Sequence, residues 1–361
     1  MTTLLSTPTS MTIGAASTSA LGTLAASMAA GTWVQYAGTN QNAIIGSQTG
    51  VSGSMINYCM HFPWNPITKR IEIVGQDHLY GLTQSYARYD DTLNMFVLAS
   101  ANTGVVAAGT TPAHGYGHTQ VDPSTGDIYH HKSSGATGSL DVWKCPFGST
   151  TFTLIGSTPS AYAQFALGSC WWKGLFTGVQ LGGRGAYMLY NCGAAFSQAT
   201  DGEIAIYDPT AGFKATLTGV TPYAVTADAC AMSYSPVHNC AIYGGGNMHP
   251  TLCYRLNSDG SHTAMPPVPS AGMGTDLGAL VCDPVTGNFL LLSNQQLWEL
   301  NPTGSGSWTR QAGSRVPPPG VQNPTVMGEG VALVSIPDYG IIAAISQISG
   351  SGGTFYLYKH A

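Results

Sequence analysis

The sequence predicts an all-β protein, a six-bladed β-propeller closed by its own N-terminal strand. Three observations predict it. A strand–turn–strand unit built on an Asp/Asn/Ser-Pro turn recurs about every 50 residues. The units continue into outer strands that end on Trp or another aromatic. A strand-like segment near the N-terminus matches the piece that the last unit lacks.

Residues 1–31 read as an Ala/Ser/Thr/Gly-rich arm, and residues 32–361 as a single propeller domain. The arm is too weakly apolar to fold alone and is expected to dock on a partner. GTWVQYAG, residues 31–38, reads like GSWTRQAG, residues 306–313, an outer strand. GTFYLYKHA at the C-terminus stops before its own outer strand, so residues 31–38 are expected to supply it. Closing the ring this way removes exposed sheet edges.

The units themselves are CMHFPWNPITKRIEIVG, HTQVDPSTGDIYHH, CAMSYSPVHNCAIYGGG, ALVCDPVTGNFLLLS and ALVSIPDYGIIAAIS. In each turn Pro presets φ, Asp or Asn closes an Asx-turn, and Gly accepts positive φ. The apolar runs that follow read as buried strands. The turn prolines Pro66, Pro123, Pro236, Pro284 and Pro337 are 57, 113, 48 and 53 residues apart. The gap of 113 hides one unit, placed at SCWWKGLFTGVQLGGRGAYMLY with WKG as a shortened turn. RYDDTLNMFVLAS, residues 88–100, reads as the outer part of the first blade; if it formed a sheet of its own there would be seven blades.

The residues DPVTGNFLLL, LWELNPTGSGSW and AIYGGG give residues 32–361 a resemblance to the kelch and galactose-oxidase-like propellers. The paired glycines of a strict kelch blade stand only at Gly244–Gly246. A copper enzyme of the galactose-oxidase type is set aside, because no Cys-crosslinked tyrosine with two histidine ligands can be assembled from the aligned positions.

Composition removes other classes. Only 8% of residues are charged, against about 25% ordinarily, and the net charge is −5 with no basic cluster, so nucleic acid is not an expected partner. The Ala-rich run in residues 11–31 is broken by Gly, Ser and Thr, and no membrane insertion is expected. The first basic residue is Lys69, so no secretory signal is expected and the chain reads as made inside the cell. Eight cysteines without a C-x-x-C pair read as small buried apolar residues.

In a propeller the first strand of each blade lines the channel, and the loops entering it form one face. Asp228, Asp276 and Glu329 each lie seven residues before the turn position of successive blades, at Ser235, Asp283 and Ile336. They are expected at one level near the channel mouth, where like charges need a cation or donors. One reading is a Ca²⁺ or cationic-ligand site, with no other cofactor; the other is that the carboxylates hold neighbouring blades together. His114 stands at the same level. His114 and His118 would be about 13 Å apart on a strand and cannot share a metal, while His130 and His131 point to opposite strand faces. His114, Arg184, Tyr187 and Tyr190 form a lyase-like set by fold analogy. Trp172, beside Trp171, is a candidate sugar platform.

Two functions compete. The low charge, the arm and the lack of a convincing catalytic set point to a non-enzymatic virion module, of a bacteriophage in particular, acting in structure or receptor binding. It would contact other virion subunits, a host protein or a surface glycan. The alternative is a polysaccharide lyase or hydrolase acting on a surface glycan. A kelch-like intracellular interaction module ranks third.

Overall fold

The computed structural model describes all residues except 1–18, 47–54, 57, 76–83, 106–114, 134–139, 158–167, 192–201, 222–229, 247–248, 275–277, 305, 320, 322–330 and 349–351. Six four-stranded antiparallel sheets form the ring of a six-bladed β-propeller. A helix, α1 (Ala20–Ser27), and the strand β1 (Thr32–Gln35) come first. Blade one is β2 (Trp64–Asn65), β3 (Arg70–Gly75), β4 (Ser85–Asp90) and β5 (Met95–Ser100). Residues 88–100 therefore belong to blade one, as its outer half. Blade two is β6 (Thr119–Val121), β7 (Ile128–Ser133), β8 (Leu140–Cys145) and β9 (Thr153–Ser157). Blade three is β10 (Gly168–Trp172), β11 (Ala186–Asn191), β12 (Gly202–Asp208) and β13 (Gly212–Thr221). Blade four is β14 (Ala231–Ser235), β15 (Cys240–Gly244), β16 (Cys253–Leu256) and β17 (His262–Ala264). Blade five is β18 (Gly278–Cys282), β19 (Phe289–Ser293), β20 (Gln296–Leu300) and β21 (Trp308–Arg310). Blade six is β22 (Val331–Ile336), β23 (Ile341–Ile348) and β24 (Gly352–Lys359), completed by β1.

The closing register is Thr32↔Lys359, Trp33↔Tyr358, Val34↔Leu357 and Gln35↔Tyr356. Trp33 stacks on Tyr358 at 4.5 Å between ring centroids, and its indole N–H donates to the Arg315 carbonyl at 3.0 Å. The segment after β1 reaches blade one, where the Tyr36 hydroxyl lies 2.9 Å from that of Tyr89 and donates to Asn94 at 2.8 Å. Ser19 caps α1 by accepting from the Gly22 N–H at 3.0 Å. Leu21, Ala25 and Met28 bury themselves with Trp64, Ile336 and Ile341 from blades one and six. So residues 19–31 of the expected arm pack on this chain's own propeller, while residues 1–18 lie outside the described residues. No helix among the described residues is long and apolar enough to cross a membrane.

The recurring turns sit at one end of the ring, where each innermost strand leaves the channel. Asn65 Oδ1 accepts from the Ile67 and Thr68 N–H groups at 3.1 and 3.2 Å, and Asp283 Oδ1 from Val285 and Thr286 at 2.7 and 3.0 Å. The fifth position of each turn needs a left-handed backbone and holds Lys69, Gly126, Asn239, Gly287 or Gly340 (φ 47–78°). The second half of the job is lateral. Asn65 Nδ2 donates to Gly126 O of blade two at 3.0 Å, and Ser235 Oγ to Gly287 O of blade five at 2.8 Å. Arg184 of blade three binds Asp122 of blade two, and Lys69 of blade one binds Asp338 of blade six at 2.9 Å. Each turn thus grips the next blade.

The hidden blade sits where the spacing placed it, but its turn is not shortened. Residues 173–185 form the connection between β10 and β11. Without an Asx-Pro pair to close a tight turn, this longer segment is tied by Asp208, which accepts from Gly182 N–H, and by Asn239, which donates to Leu175 O at 2.8 Å. The seven cysteines among the described residues are buried and form no disulfide with one another.

The blade five–blade six lock is a buried charge pair. His360 Nδ1 lies 2.5 Å from Asp283 Oδ2, and Nε2 lies 3.2 Å from Glu299 Oε2. Burial alone would push this imidazole down, but Asp283 and Glu299 together lift it to about 9. A raised folded-state pKa means that the lock contributes fully below the unfolded value of 6.5 and is lost as pH rises through about 9. Urea unfolding of the native chain is expected to show stability falling over that window by at most about 3 kcal/mol, and His360→Gln is expected to flatten the slope. An unchanged slope in the variant would rule out the lock.

Candidate functional site

The innermost strands β6, β10, β14, β18 and β22 all run from the same end of the channel toward the turn end. This follows from their common antiparallel hairpins with β7, β11, β15, β19 and β23. Asp228, Asp276 and Glu329 precede the first residues of β14, β18 and β22 by three, two and two positions. They and His114 lie outside the described residues. Among the described residues, no three His, Cys, Asp or Glu side chains are placed to hold a metal ion.

At this end of blade two the structure gathers a group that the sequence did not single out as a unit. The Gly115–His118 turn brings Tyr116 and His118 against the outgoing part of β7, with ring centroids of His118 3.9 Å from His131, 5.8 Å from His130 and 5.1 Å from Tyr116. His130 and His131 leave opposite faces of β7, as alternation requires: Thr119 Oγ1 is 2.9 Å from His130 Nδ1, and the Tyr187 hydroxyl of blade three is 2.7 Å from His131 Nδ1. Tyr187 O–H itself donates to His118 O, so His131 Nδ1 carries the proton and donates to Tyr187. Nε2 of His131 and of His130 then has no hydrogen-bond partner among the described residues. Burial first, and then His131 and Lys132 for His130 and Lys132 for His131, hold both imidazoles well below the ordinary histidine range. They are neutral at neutral pH.

Lys132 lies in the same layer, 3% exposed, its Nζ 5.9 Å from the Tyr116 ring centroid. Burial lowers it to about 7, with Cys59 pulling the other way. The cost of burial also pushes the Cys59 thiol up to about 12. The signal for Lys132 was present in YHHKS, where alternation puts it on the same face as His130. Its burial depends on blade one, which the local sequence does not reveal.

The lyase-like set does not assemble. Arg184 sits at the turn end, donating through Nε to Asp122 Oδ2 at 3.0 Å and through Nη2 to Thr125 at 3.1 Å. His114 lies outside the described residues. Tyr187 and Tyr190 alternate on β11, one packing toward blade two and the other toward Tyr243 of blade four, 4.7 Å between rings. Both are buried. Trp172 is no sugar platform either: it is fully buried, 5.0 Å from Phe176 and 4.7 Å from Tyr234. Alternation on β10 does send Trp171 and Trp172 apart, but a propeller blade is covered on both faces by its neighbours, so neither direction leads to solvent.

No family model matches the chain, and no curated protein matches it. Solved structures do. The GH93 α-L-arabinofuranosidase of Fusarium graminearum in complex with arabinobiose has a TM-score of 0.52 at 8% identity, over 84% of this chain and 93% of that one. A point mutant of the Fusarium graminearum arabinofuranosidase, in complex with an iminosugar inhibitor, has a TM-score of 0.50 at 8% identity and the same coverage. An α-L-arabinanase of Penicillium chrysogenum reaches 0.49 at 11% identity, over 91% and 98%. At these identities the likeness is one of fold. It narrows the expected kelch kinship to the propeller architecture itself. It also corrects the expectation of a non-enzymatic virion module, because these similar propellers are glycosidases.

The buried lysine gives a direct test of this layer. Its lowered pKa means that folding disfavours the proton, so Lys132 penalises stability below about pH 7 and the penalty lifts as pH rises from there toward 10.5. Lys132→Met is expected to gain more stability over the native chain at pH 6 than at pH 10, read from urea midpoints. A difference independent of pH would show that the ammonium is not buried.

Proposed function

We propose that the chain is a glycoside hydrolase that takes a glycan at the channel end where the innermost strands begin. The observation that carries this reading is the placement of Asp228, Asp276 and Glu329 immediately before the inner strands of three successive blades. Glycoside hydrolysis asks for little more than two carboxyl groups across a scissile bond. One protonated carboxyl gives its proton to the glycosidic oxygen as the C–O bond breaks. A second, ionised carboxylate either removes a proton from the water that attacks the anomeric carbon or attacks that carbon itself.

The glycosidase propellers of the same fold add support at the level of architecture. Elimination by the lyase-like set is disfavoured, since Arg184 is committed to Asp122 at the far end.

The test is release of reducing ends from a panel of plant and microbial polysaccharides. Single substitutions Asp228→Asn, Asp276→Asn and Glu329→Gln are expected to leave folding intact. At least two of them should lower kcat by about 10²–10⁴-fold, with a bell-shaped pH profile in the native chain. Hydrolysis that survives all three substitutions, products with a new double bond, or binding without turnover would each overturn the proposal.

A further inference from the structure

The interior of blade two is polar, and the proposed hydrolysis does not use it. Thr119, Gln120, His130, His131 and Lys132 are all buried on its two innermost strands. Among the described residues, its buried apolar side chains are few. Val121, Ile128, Cys145 and Phe152 meet blade one, and Tyr129 and Val142 meet blade three. Blades four, five and six instead share one continuous apolar cluster, from Ile242 through Leu280 and Leu291 to Leu333 and Ile342.

Both seams of blade two also enclose polar atoms without a hydrogen-bond partner among the described residues. They are Nε2 of His130 and of His131, the Tyr129 hydroxyl, and the indole N–H groups of Trp143 and Trp171. Each gives up water when the blade closes and gains nothing in return, which penalises closure at these seams.

The surroundings of the two imidazoles decide what a proton would do there. His130 meets Thr119 and His118, and shares its strand face with Lys132. His131 meets His118 and the Tyr187 hydroxyl of blade three, which neighbours Cys170. Tyr116 lies against Lys132 and His118, and Cys59 faces Lys132 from blade one. Along the same seam Glu72 is held by Tyr86 at 2.7 Å and Asn65 at 3.1 Å, with Arg88 opposite it in register. The carboxylates of blade two are committed elsewhere: Asp122 to Arg184, Asp127 to Lys144 at 2.7 Å, and Asp141 to Ser157 Oγ at 2.6 Å. An imidazolium inside the closed blade would therefore face Lys132 and gain no counter-ion among the described residues.

Both histidines are neutral in the closed blade and return to the ordinary 6.5 once water reaches them. Closure is thus strongest above that value and weakens as pH falls below it. Lys132 takes up its proton on opening between 10.5 and about 7, and adds little below, where it is charged in both forms.

We propose that blade two is an acid-sensitive latch in the ring. Strands β6–β9 part from blades one and three as a unit when His130 and His131 take up protons, while blades four to six stay closed. The latch stands whether or not the chain is a hydrolase.

The test is amide hydrogen exchange of the full chain at pH 7 and pH 5.5, corrected for the intrinsic pH dependence of exchange. Two protons taken up per opening are expected to raise the opening constant of residues 119–133 and 140–157 on the order of 100-fold over that interval. At pH 5.5 that constant is expected to exceed those of residues 231–244 and 278–293 in blades four and five. His130→Gln and His131→Gln are each expected to cut the rise to about tenfold, which a general loosening would not do. Should either variant fold poorly, the comparison of blades within the native chain still decides. A blade-two opening constant that does not change with pH, or one equal to those of blades four and five at pH 5.5, would overturn the proposal.

Discussion

Everything in this molecule depends on closing the ring. Each blade is a four-stranded sheet covered on both faces by its neighbours, and it cannot bury its apolar surface alone. Five of the six blades are contiguous in sequence, but the sixth takes its outer strand from residues 32–35 at the other end of the chain. Trp33 on Tyr358, the Gly31 N–H to Lys359 carbonyl bond at 2.7 Å and Lys359 Nζ on the Ala25 carbonyl at 3.1 Å tie the two termini together. The edge left open without them would also be a pairing site for other chains. The helix α1 extends the same seam, covering the junction of blades six and one.

The two ends of the closed ring are built differently. At the turn end, side-chain and carbonyl contacts run from blade to blade and nearly every charge has a partner. At the entry end, the described part of blade two presents neutral imidazoles, a lysine held near neutrality and tyrosines, while blades four to six lead into their inner strands from carboxylates. At the turn end Asp122, Asp283 and Asp338 are blade locks.

Much of the architecture was legible in the sequence because turn chemistry is local. An Asp-Pro or Asn-Pro with a left-handed fifth residue needs no tertiary information, and the match of GTWVQYAG to GSWTRQAG revealed the closure. Where the local signal was absent, in WKG, the length of the turn was misread although the blade was found. Side-chain roles were harder, because burial in a propeller is decided by the adjacent blade some 50 residues away. Alternation correctly separated His130 from His131. It misled for Trp172, since both faces of a blade are interior. Arg184 looked catalytic because its partner, Asp122, belongs to a neighbouring turn rather than to a nearby stretch of sequence. The virion reading leaned on low charge and on the arm, and composition of that kind describes a surface without describing a reaction.

Under the proposed function, ligand chemistry is confined to the strand-entry end. Hydrogen exchange of the full chain, with and without an oligosaccharide that it cleaves or retains, measures this directly. The account predicts ligand-dependent protection in the peptides leading into β14, β18 and β22 and in the Gly115–His118 turn, with the 122–127 and 283–288 turns unchanged. Protection at those turns instead, with none at the strand entries, would contradict it.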